Sequence, residues 1–367
     1  MAYIRRDTAL RLRVRSVTYV CVRALADTRC ALSRSYLRHF TNDVYASRYG
    51  VAACFFAFLF QTSENYIQIN IPKENNMKKR KFDILTDSGS DMPKSYFDEH
   101  GVGVVNLGFT MNNVNYEGEN GEKISEKEFY QKLRDGAMPT TYQVTGEMAK
   151  SHILKSLKAD RDVLIICFSS ALSGTAGSFA VAARELAKQY PKRKIRVVDS
   201  LCASMGEGLL LDYVLKKADE GADIDETKKY AEKLKLKICH HFTVDNLFHL
   251  KRGGRVSGAT AVIGSILKIK PIMKVSNEGK LVSVGKAMGR KKALNAIVDN
   301  AFSLMDMDEN GPIFISHGDC IEDVEYVKNL ILARLPKVKI VVHYVGAVIG
   351  SHSGVGTLAI FHKGKHR

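Results

Sequence analysis

Three stretches of this chain place hydroxyl side chains where a strand gives way to a helix. The fullest contains Ser169, Ser170, Ser173, Gly174 and Thr175. It follows the apolar run 162–166, which reads as a buried parallel strand, and precedes 176–190, which reads as a helix. Hydroxyls and the free N–H groups of a helix start then converge on one point, an arrangement suited to a carboxylate or a phosphate. The run 82–85 ends the same way in Thr86, Asp87, Ser88 and Ser90, and 194–198 ends in Asp199 and Ser200, with Ser204 shortly after. A single such turn is ordinary helix capping. Three along one chain point to the crevice beyond the carboxyl ends of a parallel sheet, where open α/β folds bind ligands.

Other chemistries find less support. The seven cysteines form no Cys-x-x-Cys pair, which suits buried thiols in a reducing cytosol better than a disulfide framework. His240, His241, His362 and His366 have no third ligand at a matching spacing, so no metal site is expected. There is no Gly-x-Ser-x-Gly elbow; Gly350, Ser351, His352, Ser353 and Gly354 put histidine in the middle. No phosphate-binding Gly-x-x-x-x-Gly-Lys loop occurs either. A net charge of +16 over 367 residues raises nucleic acid or an anionic membrane as partners. The lysines, however, interleave with acids on helices such as the one around Glu226, Lys228 and Glu232, a solvated face with no nucleic-acid signature.

The elements that position these residues follow from periodicity. Residues 1–76 stand apart: arginine is their basic residue, no lysine occurs before Lys73, and their apolar residues keep no steady period. The apolar stretch 51–60 is short for a bilayer span. Met77 reads as the natural start, and 1–76 as an extension, disordered or not natively translated. From Met77, strand and helix alternate through about residue 200, the pattern of a Rossmann-like, doubly wound parallel sheet. After a boundary near 241 the rhythm becomes that of an α/β domain of α+β character. It includes a helix at 258–267 and a hairpin, 271–275 with 280–284, about Asn277, Glu278 and Gly279. The expected domains are 77–241 and 242–367.

From Met77 onward the chain resembles the DegV family of bacterial fatty-acid-binding proteins. The resemblance rests on an ordered set: Thr86-Asp87-Ser88; Pro139-Thr140-Thr141-Tyr142-Gln143; Ser169 through Thr175; Asp199-Ser200 with Ser204-Met205-Gly206; Lys251 through Ser257; Gly264 through Pro271; and Gly350 through Gly356. It implies a long-chain fatty acid in a tunnel between two domains, its carboxylate presented to a separate fatty-acid kinase subunit by a cytoplasmic protein that is not itself an enzyme. It also implies no cofactor beyond the bound lipid, no nucleic acid and at most transient membrane contact. Carried over by motif, the fatty-acid-binding residues are Thr141, Ser169, Ser170, Ser173, Gly174, Arg255, His352 and Ser353, with Thr141, Ser169 or Ser170, and His352 holding the head. Arg255 either neutralises the head or caps a helix end. Tyr142 stands where the family usually has serine, Val144 where it often has proline, and Val355 where proline is usual. The ring of Tyr142 beside the head bears most on the shape of the pocket.

The physical requirements agree with the resemblance. A fatty acid needs a long apolar groove and a few polar contacts, and each buried methylene contributes about 0.8 kcal/mol. Phe109, Met111, Leu172, Phe179, Ile263, Ile266 and Leu267 are the expected lining. Basic residues such as Lys251, Arg252 and Arg290 are expected at the mouth, where a partner docks. The competing reading is a serine-dependent lipid hydrolase or acyltransferase.

Overall fold

A computed structural model of the protein describes residues 80–118, 121–245, 247–256, 269–306 and 311–367. The extension 1–76, the expected helix 258–267 and the lining candidates Ile263, Ile266 and Leu267 lie outside the described residues.

The chain enters the fold through β1 (Phe82–Asp87), α1 (Lys94–His100) and β2 (Val102–Val105). A small excursion follows: β3 (Gly108–Met111), β4 (Val114–Glu117), α2 (Glu126–Arg134) and β5 (Thr140–Tyr142). Strand and helix then alternate through α3 (Gly146–Lys158), β6 (Asp162–Cys167), α4 (Thr175–Gln189), β7 (Ile195–Asp199), α5 (Met205–Asp219) and α6 (Ile224–Leu234). Strands β1, β2, β6 and β7 form one all-parallel sheet in the order β2-β1-β6-β7. The apolar run of β6 is buried from Val163 to Cys167, as a strand covered on both faces must be. Leu85 and Ile165 of the sheet pack with Ile153 and Phe179 of the covering helices.

Antiparallel pairing in the order β4-β3-β5 makes a second, three-stranded sheet, whose register sets Thr141 opposite Phe109. Helix α2 covers it. Ser125 caps that helix by accepting from the Glu128 N–H, and Phe129, Tyr130 and Leu133 pack on Phe109 and Met111.

The remaining elements are β8 (Ile238–Thr243), α7 (Phe248–Arg252), β9 (Ile269–Val275), β10 (Leu281–Met288), α8 (Arg290–Leu304), β11 (Ile313–His317), α9 (Ile321–Arg334), β12 (Ile340–Tyr344), α10 (Ala347–Ser353) and β13 (Leu358–Lys363). Their six strands form a mixed sheet in the order β10-β9-β8-β13-β11-β12. The hairpin β9–β10 pairs Leu281 with Val275, and Gly279 takes the left-handed backbone its turn requires. Strand β8 runs across residue 241 as a member of this sheet. Side chains alternate along β8 and its antiparallel partner β13. His240, Phe242, Ala359 and Phe361 face one way, into a cavity. Leu358 and Ile360 face the other, in the core with Ile297 and Val298 of α8.

Candidate functional site

The hydroxyl-rich turns at the carboxyl edge of the parallel sheet are sewn to one another. Asp87 accepts from the N–H groups of Gly89 (2.9 Å) and Phe168 (2.8 Å), tying the turn after β1 to the turn after β6. Ser170 N–H donates to Asp199 Oδ1 at 3.1 Å, and Ser169 N–H to the Cys202 carbonyl at 3.0 Å, joining the turn after β6 to the one after β7. Burial pushes the Asp87 carboxyl up to about 7 in spite of its two N–H donors.

Above this edge lies a cavity of about 340 Å³, walled on the other side by the six-stranded sheet. Its size falls in the usual range of small-molecule sites. The walls are mainly apolar: Phe168, Leu172 and Ala203 come from the turns, Phe242, Val275 and Leu281 from the second sheet, Val345 from the approach to α10, and Val348 and Ile349 from α10 itself. Polar groups gather where β5 meets α10. Thr141 Oγ1 and His352 Nε2 are hydrogen-bonded at 2.7 Å although 211 residues apart in sequence. Tyr130 donates to the Val345 carbonyl at 2.7 Å from within the α2 core, and Arg252 donates to the carbonyls of Pro139 (2.9 Å) and Ser351 (3.1 Å). These bonds fix α10 against the strand that carries Thr141.

Burial, and then the charges of Arg255 and Arg252, hold His352 down to about 4, so its imidazole is neutral at pH 7. His352 Nδ1 and Ser353 Oγ are buried without a hydrogen-bond partner among the described residues. Orphaned polar atoms beside an apolar cavity mark a place that a polar ligand group can complete.

Of the eight residues the motifs single out, Thr141, Ser173, Arg255, His352 and Ser353 line the cavity. Ser169, Ser170 and Gly174 do not. Ser169 points its hydroxyl at the Gly279 carbonyl (2.9 Å), Ser170 faces solvent, and Gly174 is exposed at the N-cap of α4. The hydroxyl of the serine turn that reaches the cavity is Ser173, bonded to Thr175 Oγ1 at 2.9 Å. Arg255 donates to the carbonyls of Leu172 and Gly253. It thereby braces the serine turn while lining the cavity.

The apolar expectations are also corrected. Leu172 lines the cavity, whereas Phe179 belongs to the core of the parallel sheet and Phe109 and Met111 to the α2 core. At the mouth, Arg290 is committed inside the fold, donating to Asp323 (2.8 Å) and to the Gly356 carbonyl (2.6 Å); Lys251 is exposed. Tyr142 lines the cavity over Gly108 and Gly118, where a Cβ would come within 2.1 Å of its ring and 2.8 Å of its hydroxyl, respectively.

A second polar patch was not foreseen. Ser204 and Ser316 line the cavity with hydroxyls 3.0 Å apart, and Ser204 also bonds the carboxyl of Asp91 behind it. Ser204 sits at the start of α5 with φ 53° and ψ −147°, a strained backbone for a residue with a side chain. Burial pushes Asp91 up to about 8, so it keeps its proton at neutral pH. The turn holding Ser204 was visible in the sequence. Ser316 and His240 lie inside apolar strands, where a polar residue gives no sign of which face it takes.

The family model described as an uncharacterised protein, DegV family, matches residues 81–364. A DegV domain-containing protein of Clostridium perfringens is 41% identical over 285 residues, spanning 78% of this chain and 98% of the relative. Among solved structures, a DegV family protein from Thermus thermophilus, described for its fatty acid binding, is similar at 30% identity and a TM-score of 0.68, covering 77% of this chain and 99% of its own. DegV of Bacillus subtilis, described as a fatty acid binding protein, matches at 29% identity and a TM-score of 0.67, over 78% of this chain and 100% of its own. With matched motifs, shared fold and this coverage, the chain belongs to the DegV family.

Proposed function

We propose that this protein binds a long-chain fatty acid in the cavity between its two larger sheets and presents the carboxylate to a partner fatty-acid kinase. The observation that carries the reading is the apolar cavity closing on the Thr141–His352 pair. The acyl chain supplies affinity by burial. Thr141, His352, Ser353 and Ser173 orient the head, and Arg255 lies beside it. Relatives of the same fold are described as binding fatty acids. The chain acts without catalysis of its own, in the cytoplasm, with the lipid as its ligand and no cofactor. Residues 77–241 and 242–367 serve as the two lobes that enclose it. Among the described residues no helix is long and apolar enough to cross a membrane. The proposed contact with the bilayer is at most transient.

A serine hydrolase fits less well. The hydrogen-bond partner of His352 is a threonine, and Ser351 gives its hydroxyl to the Ala347 carbonyl at 2.7 Å. The test is denaturing extraction of the purified protein followed by mass spectrometry of the extract. The expected result is about one long-chain fatty acid per chain. An extract without lipid, together with turnover of model esters by the same preparation, would reverse the assignment.

A further inference from the structure

On the face of the six-stranded sheet opposite the cavity, three soft or borderline donors meet. Cys239 and His241 stand two residues apart on β8 and therefore share a face. Antiparallel pairing sets His362 of β13 directly opposite Cys239. The spacing of the sequence hides this trio because His241 and His362 are 121 residues apart. All three side chains are buried, and Sγ and the ring nitrogens lie within 4.8 Å of one another.

We propose that Cys239, His241 and His362 form a binding site for a thiophilic d10 metal ion, Cu+ or Zn2+. The two Nε2 atoms are 3.1 Å apart, close to the roughly 3.3 Å between two nitrogens bound to one such ion. His362 Nδ1 lies 3.0 Å from the Lys363 carbonyl, the outer contact that fixes a metal-binding tautomer by holding its proton away from Nε2. The rings are near-parallel, at 4°, so a small pivot of each turns the two Nε2 lone pairs from one another toward a shared ion. The widest donor separation must then contract by about 1 Å, and the Cys239 thiol must leave the His366 carbonyl to which it donates at 3.1 Å.

The Cys239 thiol loses its proton on binding, and the proton between the imidazoles moves to His241 Nδ1. One proton is therefore released per ion. Lys274 pairs across from His241 on β9, and Arg367 donates to the Ile238 carbonyl at 2.9 Å. These cations favour the ion of lower charge, because Cu+ with one thiolate is neutral overall. The trio faces away from the lipid cavity, so metal and lipid occupancy are separable.

The experiment uses the full chain, reduced and stripped with chelator, titrated separately with Cu+ and Zn2+ against competing chromophoric chelators. The expected result is one equivalent bound, more tightly for Cu+. Replacing Cys239→Ala or His362→Ala should cost at least the roughly 10–100-fold lost on removing an outer-shell partner, with the extracted fatty acid unchanged. X-ray absorption at the metal edge of the loaded wild type should show one sulfur and two imidazole nitrogens, a readout independent of how the variants fold. Failure of both ions to bind at one per chain overturns the site, as does a coordination shell without sulfur.

Discussion

Gly253 leaves no room for a methyl group beside His352: a Cβ there would lie 2.0 Å from Nδ1 of the imidazole. Gly253 has an ordinary backbone, φ −75° and ψ −8°, so alanine is conformationally acceptable and the conflict is with the ring alone. Gly253→Ala should turn His352 away from Thr141 and weaken fatty-acid binding while the melting temperature changes little. The check is ligand titration beside a thermal melt. Unchanged affinity would mean that the ring position does not matter to the head.

The Thr141–His352 pair is expected to discriminate charge. A buried carboxylate must be hydrogen-bonded, and bonds to a charged group contribute roughly 1.5–3 kcal/mol each. Thr141→Val and His352→Ala should therefore each weaken a long-chain acid about tenfold or more. The matching fatty alcohol should lose less. Equal losses for acid and alcohol would remove these residues from the head site.

Binding should take up protons. His352 is held down to about 4 in the free protein by burial and by neighbouring arginines, and a carboxylate brought against it raises that value. Affinity should then rise as pH falls from 7 toward 5, until the ligand's own carboxyl protonates. Calorimetry at pH 6 in buffers of different ionisation enthalpy reads the uptake directly, and a value of zero counts against the contact.

Stability should fall as pH rises from 6.5 to 8. Asp91 is raised to about 8 and Asp87 to about 7 by burial, so the fold keeps protons that the unfolded chain has already released above about pH 4. The depressed histidines, His317 and His352 at about 4, act in the opposite sense but below pH 6.5, where the unfolded chain binds the protons they refuse. Asp91→Asn removes one titrating group and should flatten the 6.5–8 slope, by at most roughly 1.4 kcal/mol per pH unit. Melting temperatures across that window decide it; an unaltered slope would place the proton elsewhere.

Tyr142 should depend on its glycine seat. A side chain at Gly108 would overlap the ring, since its Cβ falls 2.1 Å from it. Gly108→Ala should tilt the ring and change which acyl chains are retained, with Tyr142→Ser relieving the effect. Lipid profiling of the single and double variants tests this, and identical profiles would leave Tyr142 without influence on the pocket.

The parallel sheet was legible because buried strands such as 162–167 announce themselves by unbroken apolar runs between helices. Which hydroxyl of the serine turn enters the cavity was not, because Ser169, Ser170 and Ser173 differ only in where a tight turn aims them. Cavity wall and core read alike as well: Leu172 and Phe179 are equally apolar, yet one lines the cavity and the other packs beneath the sheet. The Thr141–His352 contact came into view through motif resemblance alone, since no local pattern links residues 211 apart.

The cavity walls come from both large sheets, so an occupant would do the work of a missing core side chain. Without an occupant, the surfaces around the cavity would lose contacts that water does not replace. On the proposed function, handing over a lipid would be a partial loss of the protein's own interior. Exchange of one acyl chain for another leaves that interior whole, so the chain should trade ligands more readily than it releases them.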